Sequence, residues 1–156
     1  MPDATLIELT KEVRWKTLKL LENVDDAQAM FAPPGMANTI LWNAGHSLVV
    51  VEHLGFAVTK LGPPQIPADW ADKFTRKDPE AVTQWPQLSE VVAKLVDQRT
   101  RLLALIDALT PDQLDRIVGD PPRNRTLRGM IVHGLHDEAG HQGEIHMLKK
   151  LWKLRG

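Results

Sequence analysis

The stretch "IVHGLHDEAGHQGEIHML" carries His133, His136, His141 and His146, four of the chain's six histidines, interleaved with Asp137, Glu138 and Glu144. Imidazoles and carboxylates bind divalent metals, and imidazoles exchange protons near neutral pH. Which chemistry applies depends on which of these side chains share a helix face. At about 100° per residue, Leu127, Met130, Gly134, Ile145, Leu148 and Trp152 fall within about 40° of His141, which places His141 in the middle of an apolar stripe. Asp137 lies about 40° from that centre and His133 about 80°, while His136 and His146 sit about 140° away and point to solvent. The expectation is a buried Asp137/His141 pair on successive turns. An unpaired buried charge is costly. The pair is therefore either an Asp–His hydrogen bond inside the core or two ligands of a metal whose third ligand comes from another helix.

"NTILWNAGHSLVVVEHLGFAV" offers that third ligand. His46 shares a face, within about 60°, with Trp42, Val49, Val50, His53 and Ala57, and the face is apolar apart from its two histidines. Two core-facing histidines opposite an Asp/His pair favour the metal. His53 is two turns from His46, about 10 Å along the axis, so only one of them can join a given ion. The other is expected to line the pocket or to support a ligand. His133 and His141, about 12 Å apart along their helix, cannot share one ion either.

The elements that must hold these residues read as four helices separated by proline-rich breaks. They run over about 4–24, from an Asn38 cap to about 62, from 88 to about 109, and from a Thr126 cap to about 154, with a short helical turn at "TPDQL". "GPPQIP" and "GDPPRN" end helices because proline lacks the amide donor and clashes with the preceding turn. No apolar/polar alternation indicates a strand. The expected fold class is all-α: one four-helix-bundle domain over 1–156, with residues 62–86 as a long crossover connection that covers the site or packs against the bundle.

Composition narrows the function. The chain has 156 residues, 43% hydrophobic and 25% charged, with a formal net charge of −1 and no cysteine. No disulfide, Cys-type zinc site or protein thiol is available. The near-zero charge leads to the expectation of no nucleic-acid partner, and Lys149, Lys150, Lys153 and Arg155 read as cations complementing a helix C-terminus. With no long apolar run and no signal-peptide pattern, a soluble cytoplasmic protein without a membrane partner is expected.

"NTILWNAGHSL", "TLRGMIVHGLHDEAGHQGEIHMLKKL" and "LLALIDALTPDQLDRIV", in that order along the chain, resemble the DinB/YfiT-like superfamily of bacterial four-helix metal-binding proteins. The resemblance implies a metal triad of one histidine from the second helix and two ligands one turn apart on the fourth, which fall on His46, Asp137 and His141. Asp137 departs from the commoner histidine and is similar to the mycothiol-dependent isomerase branch. Glu144 stands where the family usually has glutamine. Two imidazoles and one carboxylate leave a divalent ion with less net charge than three imidazoles do, so it acidifies a bound water less.

The family resemblance further implies a divalent ion, zinc or nickel, and a metal-dependent S-transferase or isomerase-like enzyme acting on a small molecule. A low-molecular-weight thiol such as mycothiol or bacillithiol would be its co-substrate. Trp42, His53, His133 and Glu144 are the expected pocket residues around the ligands, and a homodimer is the expected assembly. The alternative is a metal-binding or dimerising stress-related bundle without enzymatic activity.

Overall fold

The structure, a computed structural model, describes residues 1–155. In chain order the elements are α1 (Ala4–Leu21), α2 (Asp26–Ala29), α3 (Ile40–Glu52), a π-helical turn (His53–Ala57), α4 (Trp70–Lys73), a 3₁₀ turn (Pro79–Ala81), α5 (Leu88–Ala108), α6 (Pro111–Leu114), β1 (Ile117–Val118), β2 (Arg125–Thr126) and α7 (Leu127–Leu154). The four long helices form the bundle, with α1 and α3 each packing against both α5 and α7. Among the described residues no helix is long and apolar enough to cross a membrane.

Side-chain caps set the helix starts. Asp3 accepts from the Leu6 N–H, Thr39 from Trp42, Thr110 from Gln113 and Thr126 from Gly129, each satisfying an amide that the first turn leaves unpaired. Gln87 and Glu90 form a capping box on α5. Thr39, not Asn38, caps α3, and regular α-geometry ends at Glu52, where the chain widens into the π turn. Within the 62–86 connection α4 packs against α3 and delivers the fully buried Phe74. One further expectation is corrected, that of no strand. A two-residue antiparallel ribbon, β1 with β2, closes the loop around Gly119 (φ +79°) just before α7; a strand this short carries no alternation to read.

The core has two apolar clusters. One gathers Leu41, Leu48, Trp70, Phe74, Leu95 and Ile145, and the other Val51, Phe56, Leu102, Ile106, Leu127 and Leu135. Between them runs a buried polar network that touches all four long helices. Arg14 on α1 donates through Nε and Nη2 to Glu138 on α7 at 2.8 and 2.9 Å, and Nη2 also reaches Gln98 Oε1 on α5 at 2.8 Å. Gln98 Nε2 donates to Glu52 Oε2 on α3 at 2.6 Å, and Arg101 closes the chain onto Glu52 at 2.9 and 3.1 Å. Thr17 donates to Glu138 at 2.6 Å, and Gln142 to Val13 O and Thr17. Arg14 is 1% exposed and Glu138 0%, so both charges depend on these partners.

The basic tail does more than complement the α7 dipole. Lys149 Nζ reaches across to Leu20 O on α1 at 2.7 Å.

Candidate metal centre

His46 and Asp137 come from α3 and α7, which pack side by side, and His141 lies one turn beyond Asp137. One donor atom from each of the three falls within 4.8 Å of the other two. His46 Nε2 and His141 Nε2 both lie 3.6 Å from Asp137 Oδ2. That is too long for a hydrogen bond, so the Asp–His core pair considered as an alternative is not formed.

The imidazoles are held from behind. His46 Nδ1 is 2.7 Å from Phe74 O, and a carbonyl can only accept, so Nδ1 carries the proton and Nε2 presents a lone pair. His141 Nδ1 is 2.7 Å from Asn43 Oδ1. Asn43 Nδ2 donates to Thr39 O at 2.9 Å, which orients the amide and makes its oxygen the acceptor. His141 is thereby set in the same tautomer. Burial first, and then the neighbouring His46, push the His141 pKa below its usual value of 6.5, against the smaller upward pull of Asp137 and Glu144. His141 is therefore neutral at pH 7, as a ligand must be.

Gly45 explains how Phe74 reaches its place. A Cβ on Gly45 would stand 2.1 Å from Phe74 Cε1, so glycine lets the ring lie on the α3 backbone and brings Phe74 O beneath His46. The adjacent pair Gly45-His46 thus works as a unit: one residue admits the loop and the other is oriented by it.

Two lone pairs and a carboxylate oxygen facing one another with no proton between them call for a cation. Asp137 Oδ2 is buried and has no hydrogen-bond partner. The donor set suits a divalent first-row ion, and the 3.6 Å edges from Oδ2 to the two nitrogens are close to the separation of about 3.4 Å expected between ligands of a four-coordinate ion.

The remaining expected residues are distributed unevenly. Trp42 stacks on His46, with ring centroids 4.6 Å apart and planes 17° apart. Glu144 is half exposed, with Oε2 3.8 Å from His141 Nδ1. His53, expected to face the core, is exposed, and His133 is half buried. Neither is among the residues whose donor atoms converge. The reason lies in α3: from Ile40 to Glu52 nearly every residue is buried, and a helix that is apolar all round carries no phase to tell the rim from the centre. His136 and His146 are exposed, as their spacing requires.

The depth of the site is also corrected. His141 and Asp137 are not at the centre of the buried face; their side chains are 15% and 31% exposed. The buried arc of α7 includes Ile131, Leu135, Glu138, Gln142 and Ile145 and is centred about 50° from His141. Glu138 and Gln142 are polar, so counting apolar residues alone pulled the apparent centre toward the histidines. The signal was present: 131, 135, 138, 142 and 145 follow the a/d spacing of a core-facing helix. Asn43 and Phe74, which set the tautomers, carried no comparable signal.

The DinB superfamily model matches residues 9–145. No curated protein is significantly similar in sequence. Among solved structures, the chain is similar to the sibling lethal factor precursor DfsB (TM-score 0.72, 16% identity, 97% of each chain covered). It is also similar to a conserved protein from Enterococcus faecalis (TM-score 0.65, 18% identity, 97% of each chain). A third is the colibactin self-resistance protein ClbS in complex with double-stranded DNA (TM-score 0.62, 20% identity, 93% of this chain and 94% of that one). The ClbS complex overturns the exclusion of nucleic acid drawn from net charge. Net charge averages over the whole molecule, whereas phosphates are met by a local group of cations. A family match over residues 9–145 and fold likeness across nearly the full length agree with the helix order and the α3/α7 site: the chain belongs to the DinB superfamily.

Proposed function

We propose that the chain binds a divalent ion, zinc or nickel, through His46, Asp137 and His141 and uses it on a small molecule, with a low-molecular-weight thiol as co-substrate in an S-transfer reaction. The observation that carries the reading is the partnerless Asp137 Oδ2, 3.6 Å from two imidazole nitrogens whose tautomers are already set as acceptors. Three protein ligands leave a coordination position for substrate, and a bound divalent ion favours the thiolate form of a thiol. The chain has no cysteine, so the thiol must come from outside. Within the site Phe74 O and Asn43 orient the imidazoles, and Trp42 walls one side. Glu144, at the solvent edge beside His141, is positioned to take up a proton. The rim position of the site gives a small molecule access that a central site would deny.

Elemental analysis of tag-free protein tests the metal. One ion per chain is expected, retained in His136→Ala and lost in Asp137→Ala. Metal-free protein that takes up neither zinc nor nickel would sink the reading. A panel of small thiols with an electrophilic acceptor then tests catalysis. Stoichiometric metal with no metal-dependent conjugation would favour the non-catalytic metal-binding bundle.

A second reading, contact with double-stranded DNA, draws on a separate observation. Arg116, Arg123 and Arg125 are exposed around the β1–β2 ribbon, and no ion pair engages them among the described residues, whereas Arg128 is paired with Asp3 and Asp115. Binding that weakens steeply with salt, and whose salt slope falls in Arg123→Gln/Arg125→Gln, is the expected signature. Salt-independent or absent binding would eliminate it.

A further inference from the structure

Among the described residues two buried side-chain polar atoms have no hydrogen-bond partner, Asp137 Oδ2 and Trp42 Nε1, the first in the candidate metal centre and the second on a ring packed against both of its imidazoles. A cation satisfies the first and does nothing for the second, because an indole N–H can only donate. Trp42 is 7% exposed. Its ring lies nearly parallel to that of His46, 4.6 Å away, and edge-on to His141 at 5.9 Å, so the indole borders both imidazoles of the centre. A buried donor left unpaired costs about 1–3 kcal/mol. Phenylalanine would provide the same stacking on His46 without that cost, so the stack alone does not account for a tryptophan. The missing partner is an acceptor, and none among the described residues reaches it: Asn43 Oδ1 is engaged by His141 and the Phe74 backbone carbonyl by His46.

We propose that Trp42 Nε1–H donates to an acceptor atom of a small anion that shares the centre with the metal, so that Trp42 is a positioning residue selecting anionic ligands. This inference rests on the metal reading above. The charge balance agrees with it. Asp137 reduces a divalent ion to a net charge near +1, which one further monoanion neutralises, and a neutral N–H gives that anion direction without adding charge. The ligand class is a small monoanion that still has a lone pair to accept with once it meets the metal: a thiolate through the same sulfur, or a carboxylate-type group through its second oxygen.

Trp42→Phe removes the donor and keeps the stack. Wild type and variant are loaded with Co²⁺, and azide is titrated while the visible absorption of the cobalt is followed. Both proteins are expected to take one Co²⁺ with closely similar affinity, and the variant to bind azide about ten-fold more weakly, the loss expected for one hydrogen bond. Co²⁺ bound by both with equal azide affinities overturns this inference alone. A wild type that takes up no Co²⁺ overturns the metal reading and this inference with it. Should the variant fail to fold, the wild-type protein still answers. The Trp42 indole N–H resonance, assigned through its contact with His46, is expected to move downfield when azide is added to zinc-loaded protein and to stay in place in the apo protein. A resonance indifferent to azide in the loaded protein overturns it.

Discussion

Asp137 and Glu138 are consecutive on α7, yet one turns toward α3 and the other toward α1. Glu138 is 0% exposed and accepts hydrogen bonds from Arg14 Nε, Arg14 Nη2 and Thr17. Asp137 is more exposed, yet its Oδ2 is buried and has no partner. The core network carries its own counter-charge and fills every lone pair that matters. The candidate metal centre directs acceptors at a common point and supplies no donor. A buried charge with a built-in partner is a structural device; one without a partner is an invitation to something from outside the chain.

Breaking the network should produce the largest change. Arg14→Leu leaves Glu138 buried and unpaired, and a loss of about 3–5 kcal/mol is expected, read by urea or thermal unfolding and similar in size with or without metal. A loss below about 1 kcal/mol would mean that the network is dispensable. Asp137→Asn should behave oppositely. Removing a charge that has no partner should leave apo stability within about 1 kcal/mol of wild type, while the metal-induced rise in melting temperature disappears. A strongly destabilised apo variant would show that Asp137 is a structural residue like its neighbour.

Gly45→Ala sharpens the link between loop and site. Its Cβ would meet Phe74 at 2.1 Å, and a loss of about 1–3 kcal/mol is expected from overpacking, with metal affinity reduced about ten-fold or more because His46 loses its carbonyl support. Gly140, where a Cβ would meet nothing within 4 Å, is the matching control on α7. Gly140→Ala should gain up to about 1 kcal/mol of helix stability.

Acidification separates the two regions in pH. His141 binds a proton less readily in the folded apo protein, so the unfolded state takes up more protons and stability falls as pH drops below about 6.5, levelling off beneath the lowered folded value. Glu52 differs. Burial alone would raise its pKa, but hydrogen bonds from Arg101, Gln98 and the Gln65 amide outweigh this and hold it below 4.5. Its contribution is intact above that value and is lost as pH falls through the folded pKa. Stability of the apo protein should therefore decline in two steps. In His141→Ala only the first should vanish, and in Arg101→Leu the second should shrink.

Proline breaks, polar caps and three-to-four spacing made the starts of the four long helices legible to within a few residues, because local hydrogen bonding and sterics decide where a helix can start and stop. The end of the second was not, since α3 leaves regular geometry at Glu52, well before the expected 62. The same spacing made it certain that Asp137 and His141 share a face and that His136 and His146 do not. The rotation of that face relative to the bundle was not legible. It depends on Glu138 being drawn inward by Arg14, 124 residues away in sequence, and on a polar pair looking like a surface feature when only apolar residues are counted. Nor could the chain order reveal that Phe74, 28 residues past His46, reaches the α3 backbone through Gly45 and sets the histidine's tautomer. By itself, then, the sequence determined the helices and which ligand-type residues lie one turn apart. Only the tertiary structure decided which carboxylate was paired, which imidazole nitrogen stayed free and how close to solvent they met, because each of these rests on a contact between residues far apart in the chain.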